Sequence, residues 1–305
     1  MRYRIDLSYD GAPFCGWQIQ ASAPSVQEEL EKALSTLLRS SITVVGAGRT
    51  DTGVSASRYV AHFDFEGQVP EGVEREGAVD CKQLTYKLNA ILPKAIAIQG
   101  ITPVAADFHA RFGAVCRQYQ YFLHRRKDPF LESRSFYFGY PDVDFDAMNR
   151  AAALLLGKHD FSCFEKSGGD NKTSVCTVYK ALWEPYSPEL CSFENAAGLE
   201  PAPAAKKLWE NAAGAGSRPA ANFGNGVIYW RFTIEADRFL RNMVRAIVGT
   251  LLETGRSRRS EQDFASLILD APAPGSTPPA GKVSLRSNAG ESVPGHALFL
   301  TDIRY

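Results

Sequence analysis

The chain has 305 residues, of which 45% are hydrophobic and 22% are charged, a composition typical of a globular protein with one large or two modest domains. Its 34 basic and 34 acidic side chains give a formal net charge of zero, which argues against a nucleic-acid binder that relies on overall charge. No apolar run reaches the length of a membrane span and the first residues lack a signal-peptide core, so we expect a cytoplasmic protein.

The elements of the first half follow from hydrophobic periodicity. Alternating apolar residues from Tyr3 to Tyr9 predict a strand, and Ser25-x-x-Glu28 is a capping box that opens a helix. The remaining elements of this half are predicted as strands at 42–46 and 59–65, a helix at 79–91 and an extended segment at 94–101. This β-α-β-β-α-β order is typical of a ferredoxin-like unit.

The second half repeats the theme. Its elements are predicted as a strand at 114–123, a helix at 144–156, strands at 175–183 and 227–235, a helix at 238–253 and a last strand at 297–304. The sequence therefore predicts an α/β (α+β) fold of two similar halves, residues 1–105 and 106–305, with a cleft between them. Residues 186–226 and 271–281, rich in Ala, Gly and Pro, are predicted to be inserted surface loops, the first with a short helix at 203–212.

Charge is unevenly distributed along the chain. Residues 108–127 contain five basic side chains and no acidic one, and residues 238–259 contain six basic side chains against Glu253 alone. A neutral protein can still present a basic face, and phosphate binding depends on that local field. We therefore expect phosphate contacts from Arg111, Arg117, Arg238 and Arg241; the alternative is that these charges only solvate separate surfaces.

A glycine-rich segment at residues 46–56, Gly-Ala-Gly-Arg-Thr-Asp-Thr-Gly-Val-Ser-Ala, presents one carboxylate between two predicted strands. Asp51 lies beside Arg49, whose planar cation suits a phosphate or can hold a carboxylate in its ionised form. The alternative is an ordinary turn, since Asp and Gly are frequent in turns for local reasons.

This segment closely resembles the active-site motif of the tRNA pseudouridine synthase A family, G-A-G-R-T-D-x-G-V-H-A, and departs from it only at Ser55, where the family has His. Further segments resemble motifs of the same family in the same order, at residues 9–20, 89–93, 108–112, 117–121, 156–161, 243–245, 286–290 and 296–300. A single short motif is weak support, whereas an ordered series along the whole chain is strong. Ser55 removes any contact to RNA that the family imidazole makes.

The resemblance implies a fold of two ferredoxin-like halves that share a mixed, mostly antiparallel sheet. It implies an isomerase that converts uridine to pseudouridine at positions 38–40 of the tRNA anticodon arm, acting as a homodimer. It assigns the catalytic carboxylate to Asp51 and the pocket tyrosine to Tyr119, with Tyr121 structural. The reaction requires no metal or organic cofactor. Three roles for the carboxylate stay open: attack on the sugar, attack on the base, or removal of a sugar proton.

Arg245 is the expected ionic partner of the carboxylate. A buried carboxylate stays ionised only when it is paired or well hydrogen-bonded. In the predicted helix 238–253, Arg238, Arg241 and Arg245 are three and four residues apart and so share one stripe beside the apolar face. The spacing equally fits an arginine that covers apolar surface. The match of residues 243–245 to the family motif M-V-R favours the active site.

Two other classes of protein fit the sequence less well. A dinucleotide-binding enzyme built on Gly46 and Gly48 would have Asp51 where a third glycine belongs, and that carboxylate would repel a pyrophosphate. A non-catalytic RNA-binding module would need exposed aromatic residues in a sheet pattern that the chain lacks, and it would leave Asp51 without a role. His159-Asp160 has no further histidine nearby to complete a metal site, and the cysteines include no C-x-x-C pair.

Overall fold

The structure is a computed structural model of the chain, and it describes residues 1–168, 173–188, 228–271 and 285–305. Most of both predicted inserts, including the helix predicted at 203–212, lies outside these residues. No helix within the described ranges combines the length and the apolar character needed to cross a bilayer.

Thirteen strands and five helices are described. The strands are β1 (Arg2–Tyr9), β2 (Val44–Gly46), β3 (Ser55–Asp64), β4 (Glu74–Arg75), β5 (Ala78–Val79), β6 (Ile96–Val104), β7 (Cys116–His124), β8 (Phe136–Tyr137), β9 (Gly157–Asp160), β10 (Val175–Pro185), β11 (Tyr229–Ala236), β12 (Leu269–Asp270) and β13 (Leu298–Arg304). The helices are α1 (Val26–Leu38), α2 (Cys81–Ile91), α3 (Phe145–Ala153), α4 (Met243–Gly255) and α5 (Glu261–Ala265).

Eleven of these strands form one sheet. The spatial order is β12-β9-β10-β11-β7-β13-β3-β1-β6, with β2 paired to β3 and β8 paired to β7. Adjacent strands run antiparallel except at two places, where β13 lies parallel to β3 and β8 lies parallel to β7. The mixed, mostly antiparallel sheet is therefore confirmed. The last strand, β13, joins the two halves, because it pairs with β7 on one side and β3 on the other.

The buried side chains form two hydrophobic cores that follow the two halves. In the first half, the alternating residues of β1 are buried and the apolar stripe of α1 packs with them. In the second, α3 and α4 bury their apolar faces in a core with β7, β10 and β11. Tyr119 on β7 packs against both cores. The domain boundary between residues 105 and 106 stays a prediction.

The main error in the predicted elements concerns the start of α4. The periodicity predicted a helix from residue 238, but α4 begins at Met243, because Asn242 adopts a left-handed conformation with φ of 63°. Arg238 and Arg241 therefore lie in the loop before the helix, and only Arg245 is helical. The predicted stripe of three arginines on one helix is wrong.

Two smaller differences have local causes. Ser25 caps α1 by accepting a hydrogen bond from the Glu28 amide, but the Glu28 carboxylate pairs with Lys32 at 2.8 Å instead of completing the capping box. Strands β4, β5, β8, β9 and β12 and helix α5 were not predicted, since segments of two to five residues are too short to show periodicity.

Candidate active site

The loop between β2 and β3, which carries the predicted catalytic carboxylate, rests on three buried aromatic rings. Trp17 and Tyr59 stack with their ring centroids 4.1 Å apart, and Tyr9 meets Tyr59 edge-on at 5.5 Å. The Tyr59 hydroxyl donates to the carbonyl of Gly48, and the Tyr9 hydroxyl is hydrogen-bonded to Thr50 Oγ1 at 2.9 Å. The two tyrosines therefore hold the loop in place by hydrogen bonds to the Gly48 carbonyl and the Thr50 hydroxyl.

Two glycines allow this close approach. A Cβ on Gly46 would lie 2.3 Å from the Tyr59 hydroxyl oxygen, so no side chain fits there. Gly16 has φ of +94°, and a Cβ on it would lie 2.3 Å from the carbonyl oxygen of Thr50. The neighbouring Trp17 amide donates to that same carbonyl at 3.3 Å. The segment around Gly16 therefore packs backbone to backbone against the loop.

Arg245, in the first turn of α4, meets the carboxylate of Asp51 across the cleft. Its Nη1 lies 3.4 Å from Asp51 Oδ2, and both side chains are partly buried. The Nε atom donates to the carbonyl of Val293 at 2.7 Å, while the Val293 amide donates to the Arg245 carbonyl at 3.2 Å. This reciprocal pair of hydrogen bonds fixes the guanidinium, so the structure brings together the two charges that the sequence placed in one site.

Tyr119 lies next to this ion pair in the middle of the sheet. Its position on β7 is flanked by Ile234 on β11 and Leu300 on β13. The Tyr119 ring meets the Phe239 ring edge-on, with centroids 5.1 Å apart. Burial, and secondarily the Asp51 carboxylate, raise the pKa of the Tyr119 phenol well above its ordinary value. Tyr119 is therefore a neutral phenol at physiological pH.

Asp51, Arg245 and Tyr119 line one cavity of about 740 Å³. Among the described residues, its walls carry seven basic side chains: Arg49, Arg111, Arg117, Lys166, Arg238, Arg241 and Arg245. They carry two carboxylates, those of Asp51 and Asp237. The two basic segments of this neutral protein therefore converge on one concave surface, which favours an anionic ligand.

Comparison with known proteins assigns the chain to a family. A family model described as tRNA pseudouridine synthase matches residues 151–305. Proteins named tRNA pseudouridine synthase A are 39% identical in Porphyromonas gingivalis, over the whole chain and 97% of the relative, and 40% identical in Parabacteroides distasonis, over the whole chain and 96% of the relative. In Bacillus subtilis the identity is 32%, over the whole chain and 99% of the relative.

The chain belongs to the tRNA pseudouridine synthase A family. The one departure from the family's active-site motif, Ser55, is buried at the start of β3. Its Oγ accepts a hydrogen bond of 2.9 Å from the Gly11 amide. Gly11 belongs to the first family motif, at residues 9–20. The Ser55 hydroxyl therefore links two motifs inside the protein and does not face the cavity.

The cavity-wall arginines other than Arg245 occupy two kinds of position in this family member. Arg49, Arg111 and Arg241 are exposed on the cavity wall, and Arg238 is half-buried there. The Nη2 atom of Arg238 donates to the Thr173 carbonyl at 2.7 Å. These four cations are placed where a phosphate could reach them.

Arg117 differs from the other four. Its Nη1 donates to the carbonyls of Ala114 and Asp237, and its Nη2 donates to the carbonyls of Ala47 and Arg111, at distances between 2.6 and 3.1 Å. Burial lowers the pKa of this guanidinium. Both terminal nitrogens are therefore occupied by backbone oxygens from three walls of the cavity, and the expectation of a phosphate contact has no support here.

Sequence reasoning missed the residues that hold the site together. Trp17 falls within a family motif and Tyr59 follows the catalytic segment, but their stacking beneath the loop depends on tertiary contact.

The His159-Asp160 pair is occupied locally: His159 Nε2 contacts the Leu156 carbonyl at 2.8 Å, and Asp160 accepts from the Ser162 amide at 2.8 Å. No group of three or more metal-ligating side chains occurs among the described residues.

Proposed function

We propose that this protein isomerises uridine to pseudouridine in the anticodon arm of tRNA, at positions 38–40, with Asp51 as the catalytic carboxylate. The observation that carries the proposal is the Asp51–Arg245 pair, 3.4 Å apart, in the wall of a basic cavity. The chain's family membership supports the reaction and the substrate, because the relatives that cover its whole length are named tRNA pseudouridine synthase A.

The reaction needs only groups that side chains supply. The bond between C1′ and N1 breaks, the uracil rotates, a bond forms between C5 and C1′, and one proton moves from C5 to N1. Because the product is an isomer of the substrate, no electrons or atoms are gained or lost. An ionised carboxylate, a pocket that excludes water and a neutral group that holds the detached base are therefore sufficient.

The site residues divide these tasks. Arg245 pairs with the Asp51 carboxylate and holds it at the cavity wall, because its own guanidinium is fixed by the Val293 carbonyl. Tyr119 stacks on the uracil as a neutral phenol and offers its hydroxyl near C5. Arg49, beside the carboxylate in the same loop, binds the phosphate of the target nucleotide.

The rim of the cavity holds the RNA backbone. Arg111, Arg238 and Arg241 bind phosphates on either side of the target nucleotide, which must leave its stack to reach the carboxylate. Flipping a nucleotide costs a few kcal/mol, and least at a loop or stem end. That cost favours the anticodon arm over the interior of a helix.

The test is release of tritium from unmodified tRNA transcripts that carry [5-³H]uridine, followed by mapping of the modified positions. The pure protein should release tritium in step with pseudouridine at positions 38–40. Asp51→Asn is the matched control, because it keeps the size of the side chain and removes its charge. No release from any transcript by the native protein would overturn the proposal.

The assembly and the compartment are parts of the same proposal. We infer a homodimer whose contact includes the sheet face opposite Tyr121, because half-buried Phe122 lies there with its ring 5.2 Å from Tyr186 and 5.4 Å from Phe299. A monomeric mass in light scattering would contradict the dimer.

Since tRNA is the substrate, we place the protein in the cytoplasm, which cell fractionation tests.

A further inference from the structure

Phe112 is a large apolar side chain on the wall of the catalytic cavity, and it is 77% exposed. It occupies the turn between β6 and β7. A ring in this position offers an apolar face to a ligand that enters the cavity. Ala110, two residues earlier, is completely buried. The turn is therefore anchored in the protein at Ala110 and presents the Phe112 ring to the cavity.

The turn that carries the ring is firmly fixed. The amides of Arg111 and Phe112 both donate to Nδ1 of His109, at 3.2 and 3.1 Å, and the Gly113 amide donates to the His109 carbonyl at 2.9 Å. Arg117 holds the Arg111 carbonyl at 2.6 Å. A preorganised turn loses little conformational freedom on binding, which suits a recognition surface.

The neighbours of the ring indicate what it binds. The His109 ring lies 4.4 Å away, and the Arg111 guanidinium lies 5.5 Å from the Phe112 ring centroid. Arg238 and Arg241 line the same cavity. An exposed ring set among cations is the pattern by which proteins bind single-stranded nucleic acid, with bases stacked on aromatic faces and phosphates on the cations.

We propose that Phe112 is a stacking platform for the nucleobase adjacent to the flipped uridine. This inference rests on the proposed function and extends it to a second nucleotide of the substrate. When the target base enters the cavity, its neighbour loses a stacking partner, and the Phe112 ring replaces that partner. The ring thereby lowers the cost of the flipped state and adds no hydrogen-bond preference among bases.

The experiment pairs a protein change with a substrate change. Phe112→Leu keeps an apolar side chain but removes the aromatic face, and Phe130→Leu is the matched control, since Phe130 is 83% exposed and does not line the cavity. Substrates are the tRNA transcript and two versions with an abasic nucleotide on the 5′ or 3′ side of the target. We expect Phe112→Leu to lower kcat/KM about 10- to 100-fold on the intact transcript, and Phe130→Leu to leave it unchanged.

The abasic substrates decide the cause. If Phe112 stacks on a neighbouring base, one of the two abasic substrates lowers kcat/KM for the native protein and has little further effect on Phe112→Leu. If the loss of kcat/KM from Phe112→Leu and the loss from the abasic nucleotide multiply fully, the stacking role is wrong. A Phe112→Leu protein as active as the native one would also overturn it. A change of oligomeric state in Phe112→Leu would assign the ring to a subunit contact and would also overturn it. Inactivity of the native protein would instead remove the proposed function itself.

Discussion

Nη1 of Arg245 lies 3.4 Å from Oδ2 of Asp51, although 194 residues separate them in the chain. One group belongs to the loop between β2 and β3, and the other to the first turn of α4. The pair therefore crosses from one half of the molecule to the other. The contact between these two charges depends on how the two halves are held together, and it offers the most direct test of the proposed site.

Replacing Arg245 with Met should lower kcat roughly 100-fold at neutral pH, because the carboxylate loses the cation that pairs with it and holds it in position. Arg245→Lys should be milder, since it keeps the charge and loses the planar fork. An unchanged rate in Arg245→Met would make Arg245 a packing residue.

Combining Arg245→Met with Asp51→Asn should give a protein no less stable than either single variant. Each single change leaves one partly buried charge without its partner, whereas the double change removes both charges. Urea denaturation of the three variants measures the free energy of unfolding. A double variant whose loss equals the sum of the single losses would show that the two side chains do not interact.

Asp51→Asn by itself should abolish turnover and change the affinity for tRNA by no more than about three-fold. The amide keeps the size of the side chain but has neither the charge nor the nucleophilicity of a carboxylate. Single-turnover assays and filter binding on the same transcript give both quantities. Substantial residual turnover would place the catalytic carboxylate elsewhere.

Tyr119→Phe should keep tRNA binding and slow the chemical step about 100-fold, a magnitude typical of losing one positioned proton-transfer or hydrogen-bonding group. The ring face remains for stacking and only the hydroxyl is lost. Tritium release and pseudouridine formation should slow together. Equal rates for the variant and the native protein would leave only the ring of Tyr119 with a role.

Arg241 and Arg117 should respond differently to salt. Arg241→Gln removes an exposed cation from the cavity wall and should reduce the slope of log affinity against log salt by about 0.7 to 0.9. Arg117→Gln should leave that slope unchanged and lower kcat instead, because its guanidinium holds the carbonyls of Ala47 and Asp237. A reduced slope in Arg117→Gln would instead show that Arg117 contacts a phosphate.

His62 should make folding sensitive to acid. Burial, with the nearby charges of Arg2 and His109, lowers the pKa of His62 from 6.5 to about 4, and its Nδ1 accepts a hydrogen bond of 3.2 Å from the Ala110 amide. Between these two values the unfolded chain binds more protons than the folded one. Stability should therefore fall as pH drops from 6.5 towards 4, by up to about 1.4 kcal/mol per pH unit.

His62→Asn tests this acid sensitivity, because its Oδ1 can accept the same hydrogen bond and does not titrate. Urea denaturation at pH 7, 6 and 5 should give a shallower loss of stability for the variant than for the native protein. Parallel curves for the two proteins would contradict the assignment to His62.

The local patterns of the sequence determined most of the elements, and a family motif identified the loop that carries Asp51. Alternation along residues 3–9 and the Ser25 cap each depend on near neighbours, so they are readable without the fold. The sequence also predicted the pairing of Arg245 with Asp51, although the family motif M-V-R decided that inference. Its helical argument was incomplete, because a left-handed Asn242 starts α4 later than hydrophobic periodicity indicates.

Only the tertiary structure decided what each arginine does. Arg111 and Arg117 are six residues apart and look equivalent in a basic segment, yet the first is exposed and the second donates to four backbone carbonyls. Every residue has a backbone carbonyl, so the sequence does not show which carbonyls accept hydrogen bonds from an arginine. Sequence determines which charges are present, and the packing of distant backbone segments determines which of them remain accessible in the cavity.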